Sequence, residues 1–339
     1  MKLIDCTYLN SQGGIKILEI ILDKISSELK NEFTFLIDSR ADDNIINKLE
    51  KSKFYLIKNS ELKRRSFYSL NKNVIEKCIC LANVPPPIKM NCDTIIYFHN
   101  DLILKPRFSQ SIISYMSFSL KKIYIRITNN DKYKWIVQTN LMKQKLSKNL
   151  NIENNNIIVY PVFKEFSVKK SIKKIDNTFL YVCSSSPHKN IKRLIRAFNI
   201  IKNKNSKTLY LDLTINDEKY FKKEVLSKNT NKNLIITNHS NLNESSLNKI
   251  YQKTEFLIYP SIIESFGLPL VESLQYNCKI VASNLPYVHE LVDPSIVFNP
   301  FSVSNIAESI DNIIENDNIT YSKIKIQNKI DKFIDLISK

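Results

Sequence analysis

Short apolar runs alternate with longer stretches of helical periodicity along the whole chain, and this limits the available folds more than any other feature. A first set of runs lies at Leu3–Asp5, Phe33–Ile37, Phe54–Ile57, Thr94–Phe98, Trp135–Gln138 and Ile157–Tyr160. A second lies at Phe179–Cys183, Leu209–Ile215, Leu234–Ile236, Phe256–Tyr259, Lys279–Ala282 and Ile296–Phe298. Several are apolar without alternation, the pattern of strands covered on both faces of a parallel sheet. Ile15–Ser27, Asn190–Lys202, Glu244–Gln252 and Leu268–Tyr276 read as intervening helices. The alternation predicts α/β architecture with doubly wound sheets.

The two sets part at a polar, lysine-rich stretch, Val162–Asp176. At 339 residues and 43% apolar content, the chain can bury two cores of ordinary size. The expected division is a first domain over 1–163, a linker over 164–177 and a second domain over 178–320. Tyr321–Lys339 reads as an amphipathic helix with Ile324, Ile326, Ile330, Phe333, Ile334 and Ile337 as core candidates. It would close the second domain or cross back to the first.

No apolar run reaches the ~18 residues of a membrane span. The opening MKLIDCTYLN lacks the basic and apolar blocks of a secretory signal. Six cysteines without a C-x-x-C pair argue for a reduced, cytoplasmic protein and against a zinc or disulfide framework. The net charge is +17, and residues 51–150 hold 19 basic and 5 acidic side chains. Such a surface attracts polyanions, although an AT-rich coding sequence would produce the same lysine bias. Leu62–Tyr68 and Ser111–Thr128 interleave cations with aromatics, as anionic bilayer surfaces or single-stranded nucleic acid require. Ser111–Thr128 is apolar almost all round, which predicts that much of it is buried.

Only three glycines occur, Gly13, Gly14 and Gly267, against roughly 24 at ordinary usage of about 7%. A background that removes glycine should spare it where φ is positive or backbone meets a ligand. Gly267 lies in the most informative stretch, FLIYPSIIESFGLPLVESLQYNCKIVASNLPYVHEL, from Phe256 to Leu291. There a strand ends at Pro260, a loop follows, and a helix opens around Pro269. Ligands of open α/β sheets sit beyond the carboxyl ends of strands, and helix N-termini favour anions. The backbone N–H groups of Phe266, Gly267 and Leu268 are candidates to face such a ligand. Glu264 and Glu272 suit two carboxylates that accept hydrogen bonds from separate hydroxyls of one polar ligand.

That stretch closely resembles the E-x7-E region of retaining glycosyltransferases of the GT-B fold, family 4. LNSQGGIK (Leu9–Lys16) resembles the family's N-terminal glycine loop, and FLYVCSSSPHKNIKRLIRAF (Phe179–Phe198) the opening of its second domain. Ser240–Tyr251 is similar to its polar loop and helix before the E-x7-E strand. The resemblance implies two Rossmann-like parallel-sheet domains facing a central cleft, the first for the acceptor and the second for a nucleotide-sugar. It implies that Glu264 contacts the donor sugar, that Glu272 holds the ribose and that the Phe266–Leu268 backbone meets sugar and diphosphate. Lys189 matches the cation that neutralises the departing diphosphate, a role that needs no metal. Ser184 stands where the family often has an arginine, and Cys183 where it usually has glycine. Ser184 and Ser185 remain hydrogen-bond donors for the diphosphate.

Gly13 and Gly14 follow a strand and precede a helix, where backbone can approach the diphosphate, but without Rossmann or Walker spacing. His99 closes the strand TIIYFHND and, by the resemblance, contacts the donor sugar; Asp101 is its alternative. His188 and His289 are assigned no chemistry, and His239 at most a base contact. No D-x-D closes a strand, so no cofactor or divalent metal is expected. The function implied is a retaining sugar transferase with a nucleotide-sugar donor and a lipid-diphosphate-linked glycan acceptor. It would serve surface polysaccharide or O-antigen assembly, peripherally at the inner face of the cytoplasmic membrane, without nucleic acid. The alternatives are a polyanion- or membrane-binding protein on a degenerate GT-B fold, and a nucleotide-sugar epimerase.

Overall fold

The computed structural model describes residues 1–9, 12–41, 43–105, 112–165, 173–240, 242–316 and 318–339, with Gln12 described by its backbone alone. Two compact units divide the chain: Met1–Phe163 with Gln327–Lys339, and Lys164–Ile326. Of the expected linker, 166–172 lie outside the described residues.

The first unit runs β1 (Lys2–Cys6), α1 (Gln12–Lys24), α2 (Ser27–Glu32), β2 (Phe33–Asp38), α3 (Asp43–Leu49), β3 (Lys53–Ile57), α4 (Glu61–Asn71) and β4 (Lys77–Cys80). It continues through β5 (Asp93–Tyr97), α5 (Asp101–Leu104), α6 (Ile112–Thr128), β6 (Lys134–Val137), α7 (Asn140–Leu150) and β7 (Ile157–Val159). All seven strands pair in parallel, in the order β3-β2-β1-β4-β5-β6-β7. The chain reverses direction across the sheet between β1 and β4, which opens a crevice beyond their carboxyl ends.

The second unit holds β8 (Ile175–Tyr181), α8 (Ile191–Ile200), β9 (Leu209–Leu213), α9 (Glu218–Tyr220), β10 (Leu234–Asn238), α10 (Glu244–Lys253) and β11 (Thr254–Tyr259). Then come α11 (Leu268–Gln275), β12 (Lys279–Ser283), α12 (Pro286–Leu291), β13 (Val292–Asp293), β14 (Ile296–Phe298), α13 (Val303–Glu315) and β15 (Lys323–Ile324). Its parallel sheet is ordered β10-β9-β8-β11-β12-β14, with the switch between β8 and β11. Helix α8 buries Ile191, Leu194, Ile195 and Phe198 on one stripe, the spacing of a helix seated on a sheet. The α/β architecture expected from the alternation is present as two parallel sheets, and they are the two Rossmann-like domains that the GT-B resemblance implies.

The chain returns to the first unit in α14 (Ile330–Ser338). Ile330, Phe333 and Ile337 join that unit's core, where Phe333 meets Tyr97 edge-on at 5.5 Å. The helix expected from Tyr321 is therefore shorter. Ile324 instead lies in β15, paired antiparallel with Val292, and is 48% exposed.

Three further expectations change. Strand β4 lies outside the expected runs, because it has only four residues and opens on a lysine; Lys77 is accommodated by Asp93 at 3.3 Å and the Leu336 carbonyl at 3.0 Å. Ser111 lies outside the described residues, and of the helix after it only Ile125 is buried. The all-round apolar pattern reported an uncovered face. In Leu62–Tyr68, Arg64 and Tyr68 are not surface groups but are fully enclosed around Asp5, whose Oδ2 accepts from Arg64 Nε at 2.9 Å and Tyr68 Oη at 2.7 Å.

Glycine scarcity has a structural answer. Asn83, Asn151, Asn177, Asn190, Asn203 and Asn277 take positive φ, between 38° and 70°. Asparagine tolerates that left-handed region better than other side chains. Gly267 alone among the glycines has positive φ, at 101°, beyond the range these asparagines occupy. Gly13 and Gly14 instead lie inside the first turn of α1, which begins at Gln12 and not at Ile15. A Cβ on Gly13 would meet nothing within 4 Å. Neither backbone conformation nor internal packing therefore requires glycine at 13.

Candidate active site

The second unit gathers charged and hydroxyl groups at its switch point. The loop after β8 carries Ser184, Ser185 and Lys189, and the loop after β11 carries Glu264. Lys189 Nζ donates to Glu264 Oε1 at 2.6 Å, with the two side chains 15% and 12% exposed. The two loops are tied together by backbone: Ile262 N–H donates to the His188 carbonyl at 2.8 Å. Asn190, left-handed at φ 60°, donates from Nδ2 to the carbonyls of Pro260 and Pro300 at 3.2 and 2.7 Å. Ser184 Oγ bonds Ser186 Oγ at 3.1 Å.

A floor of tyrosines supports this pair. Tyr181 Oη donates to the Lys189 carbonyl at 2.7 Å and lies 2.8 Å from Ser261 Oγ. Tyr287 Oη donates to the Ser261 carbonyl at 2.8 Å. Lys189 Nζ stands 5.8 Å from the Tyr259 ring centroid, within cation–π range. Burial, reinforced by the Glu264 charge, pushes the Tyr181, Tyr259 and Tyr287 hydroxyls well up, so they remain protonated donors. Burial on its own would raise Glu264. The Lys189 charge, His188 and hydrogen bonds from Lys189 and Ser261 outweigh it and hold the carboxyl below its usual value. The site thus keeps a carboxylate and an ammonium side by side. Burial pushes the neighbouring Cys183 thiol up to about 12, which makes it an inert thiol.

Phe266 is buried, Gly267 provides the positive-φ turn, and Leu268 opens α11 with Pro269 in its first turn. Glu272, on the same helix, is 8% exposed and accepts from Tyr251 Oη at 3.1 Å. Tyr251 stacks flat on Tyr276 at 5.6 Å. The two motif glutamates therefore have separate partners, Lys189 for one and Tyr251 for the other.

In the first unit, His99 follows β5. Its backbone N–H donates to Asn83 Oδ1 at 2.7 Å, which fixes the orientation of that amide. Asn83 Nδ2 then faces His99 Nε2 at 3.3 Å as a donor, so the ring proton of neutral His99 sits on Nδ1. Nδ1 is buried and has no hydrogen-bond partner among the described residues. Burial pushes the His99 pKa down to about 4. Asp101 is a poor substitute, since Lys145 occupies its Oδ2 at 2.6 Å. His239 pairs with Asp212 at 2.6 Å at the carboxyl ends of β9 and β10, and His289 with Asn284 at 2.7 Å.

Sequence reasoning missed Asn83, Tyr181, Tyr251, Tyr259, Ser261 and Tyr287. Their only signals were an asparagine in a glycine-poor chain, a serine after Pro260 in the Phe256–Leu291 stretch, and tyrosines near strand and helix ends. Among the described residues, no group of three or more His, Cys, Asp or Glu could hold a metal ion.

Comparison with known proteins places these loops in a family context. Residues 162–331 match the family model described as glycosyl transferases group 1. The O-antigen chain mannosyltransferase RfbU of Salmonella typhimurium is 26% identical over 70% of this chain and 65% of its own length. CapH of Staphylococcus aureus, a capsular polysaccharide biosynthesis glycosyltransferase, is 27% identical over 48% of each chain. The chain thus spans between about half and two thirds of these curated relatives. Among solved structures, Anabaena Alr3699/HepE in complex with UDP and glucose superposes with a TM-score of 0.66 at 13% identity, covering 100% of this chain and 94% of that one. The match takes in half the chain, including the Lys189 and Glu264 loops, and the chain belongs to the glycosyl transferases group 1 family.

Proposed function

We propose that the chain is a retaining, family 4 glycosyltransferase that moves a sugar from a nucleotide-sugar to a hydroxyl of a glycan acceptor. The observation that carries this reading is the buried Lys189–Glu264 pair at the β8/β11 switch point, within the family-matched segment. Departure of a nucleoside diphosphate builds negative charge, and a fixed ammonium stabilises it without a metal. Lys189 supplies that cation. Glu264 orients it and the donor sugar, Glu272 takes the ribose, and Ser184 and Ser185 donate to the diphosphate. The N–H groups of Phe266, Gly267 and Leu268 face sugar and diphosphate. In the first unit, which takes the acceptor, Gly13 and Gly14 admit the diphosphate close to backbone, and His99 contacts the donor sugar. No side chain is cast as a nucleophile; the acceptor attacks on the face the diphosphate leaves.

The names of RfbU and CapH support a role in O-antigen or other surface polysaccharide assembly. The basic first unit supports a lipid-diphosphate-linked acceptor and action at the inner face of the cytoplasmic membrane. No described helix is long and apolar enough to cross a membrane, which fits peripheral attachment. The test is a panel of UDP-, GDP- and dTDP-sugars by saturation-transfer NMR without metal, on wild type, Lys189→Ala and Glu272→Ala. One nucleotide class should bind, and bind more weakly to both variants. No binding by wild type would sink the reading. The anomeric configuration of the product, read by NMR, tests retention.

A further inference from the structure

We infer that the outer face of α6, with the neighbouring face of α4, is an in-plane docking surface for an anionic lipid bilayer. Ile113, Met116, Leu120, Ile123 and Ile127 are 81%, 56%, 64%, 52% and 77% exposed. They alternate at spacings of three and four, which sets them along one side of a 17-residue helix. A monomer rarely leaves so long a row uncovered unless something covers it in use.

The charge chooses the occupant. Helix α6 contains Lys121, Lys122 and Arg126 and no acidic residue. Beside it, α4 presents Leu62 and Leu70, 80% and 84% exposed, with the exposed cations Lys63 and Arg65. The helices are tied where Tyr124 Oη donates to Glu61 Oε1 at 2.6 Å, and that carboxylate also accepts from Tyr8 at 2.7 Å. An open cavity of about 690 Å³ beside them is lined by Arg65, Lys89, Tyr124 and Ile127, with Glu61 and Asp131. On α6 itself the cations flank the seam, with Lys122 donating to the Leu104 carbonyl and Arg126 to the Asn149 carbonyl, both at 2.8 Å. The seam meets exposed charge where Ile127 lines one cavity with Arg65 and Lys89. A second copy of the chain would bring the same positive charge and no acidic residue on α6 to complement it. A bilayer carrying acidic headgroups takes the apolar row and the flanking charge together. The inference deepens the reading of a membrane-linked acceptor, on which it rests, by naming the surface that would bring the enzyme to it.

The test is co-sedimentation with phosphatidylcholine vesicles, with and without phosphatidylglycerol, in the absence of any sugar donor. Wild type should bind the anionic vesicles and leave the neutral ones. The triple variant Ile113→Asn, Leu120→Asn, Ile127→Asn and the triple variant Lys63→Glu, Arg65→Glu, Arg126→Glu should each lose about tenfold or more in vesicle affinity. Ile235→Asn, an exposed site of the second unit, should lose none. Unchanged melting temperatures and nucleotide-sugar binding in all variants would separate docking from folding and from the transferase reading. Wild type that ignores anionic vesicles, or a seam variant that binds like wild type, overturns the inference. So does a wild-type dimer in analytical ultracentrifugation that the seam variant dissociates.

Discussion

Lys189 and Glu264 form a nearly enclosed ion pair at 2.6 Å between loops that follow different strands of one sheet. Removing either partner strands the other charge. Glu264→Gln and Lys189→Met should each lower unfolding free energy by about 2–4 kcal/mol in urea titrations. The double variant should cost less than the sum, which a double-mutant cycle reads directly. Glu264 is held below its ordinary value of 4.5, so the pair's contribution is present above that pH. It is lost as pH falls through the depressed value, and the gap between wild type and Glu264→Gln should close there.

His99 is expected to carry a pH dependence of the opposite chemical origin. The unfolded ring takes a proton near 6.5 and the buried ring only near 4. Between those values the unfolded state binds more protons, so stability is complete above 6.5 and falls as pH drops towards 4. His99→Gln should flatten that slope in melting curves. An unchanged slope would mean the ring is not held neutral.

The two kinds of glycine should respond differently to alanine. Gly267→Ala places a Cβ 3.2 Å from Leu270 Cδ1 at φ 101° and should destabilise by about 1–3 kcal/mol. Gly13→Ala adds a methyl to open space in a helix and should stabilise by up to about 1 kcal/mol. If backbone at Gly13 meets the donor, this more stable variant will nevertheless show a raised donor KM.

Tyr251 is cast as a positioning residue for Glu272. Tyr251→Phe keeps the stack on Tyr276 but removes the hydroxyl that donates to the carboxylate. The donor KM should rise about three- to tenfold with kcat little changed. An equal fall in kcat with constant KM would assign the pair to another step.

Transfer activity should survive EDTA, since leaving-group charge is assigned to Lys189 and hydroxyl donors. Loss of activity restored by magnesium would remove Lys189 from that role.

The sequence by itself determined the alternation of strands and helices, because burial on both faces of a parallel strand demands an unbroken apolar run. Its local order also set Phe256–Leu291 as strand, loop and helix, with glycine kept at 267 because φ 101° lies past what asparagine occupies elsewhere in the chain. Contacts between residues far apart in sequence were decided only by the tertiary structure. Lys189 and Glu264 are 75 residues apart, and no local pattern distinguishes an ammonium seated on a carboxylate from one in water. Asn83 and His99 meet through adjacent strands, and Asp5 meets Arg64 inside what read as a basic surface segment. The bare face of α6 shows the same limit from the other side. An apolar stripe states which side of a helix avoids water, while what covers it depends on the surfaces the fold brings near.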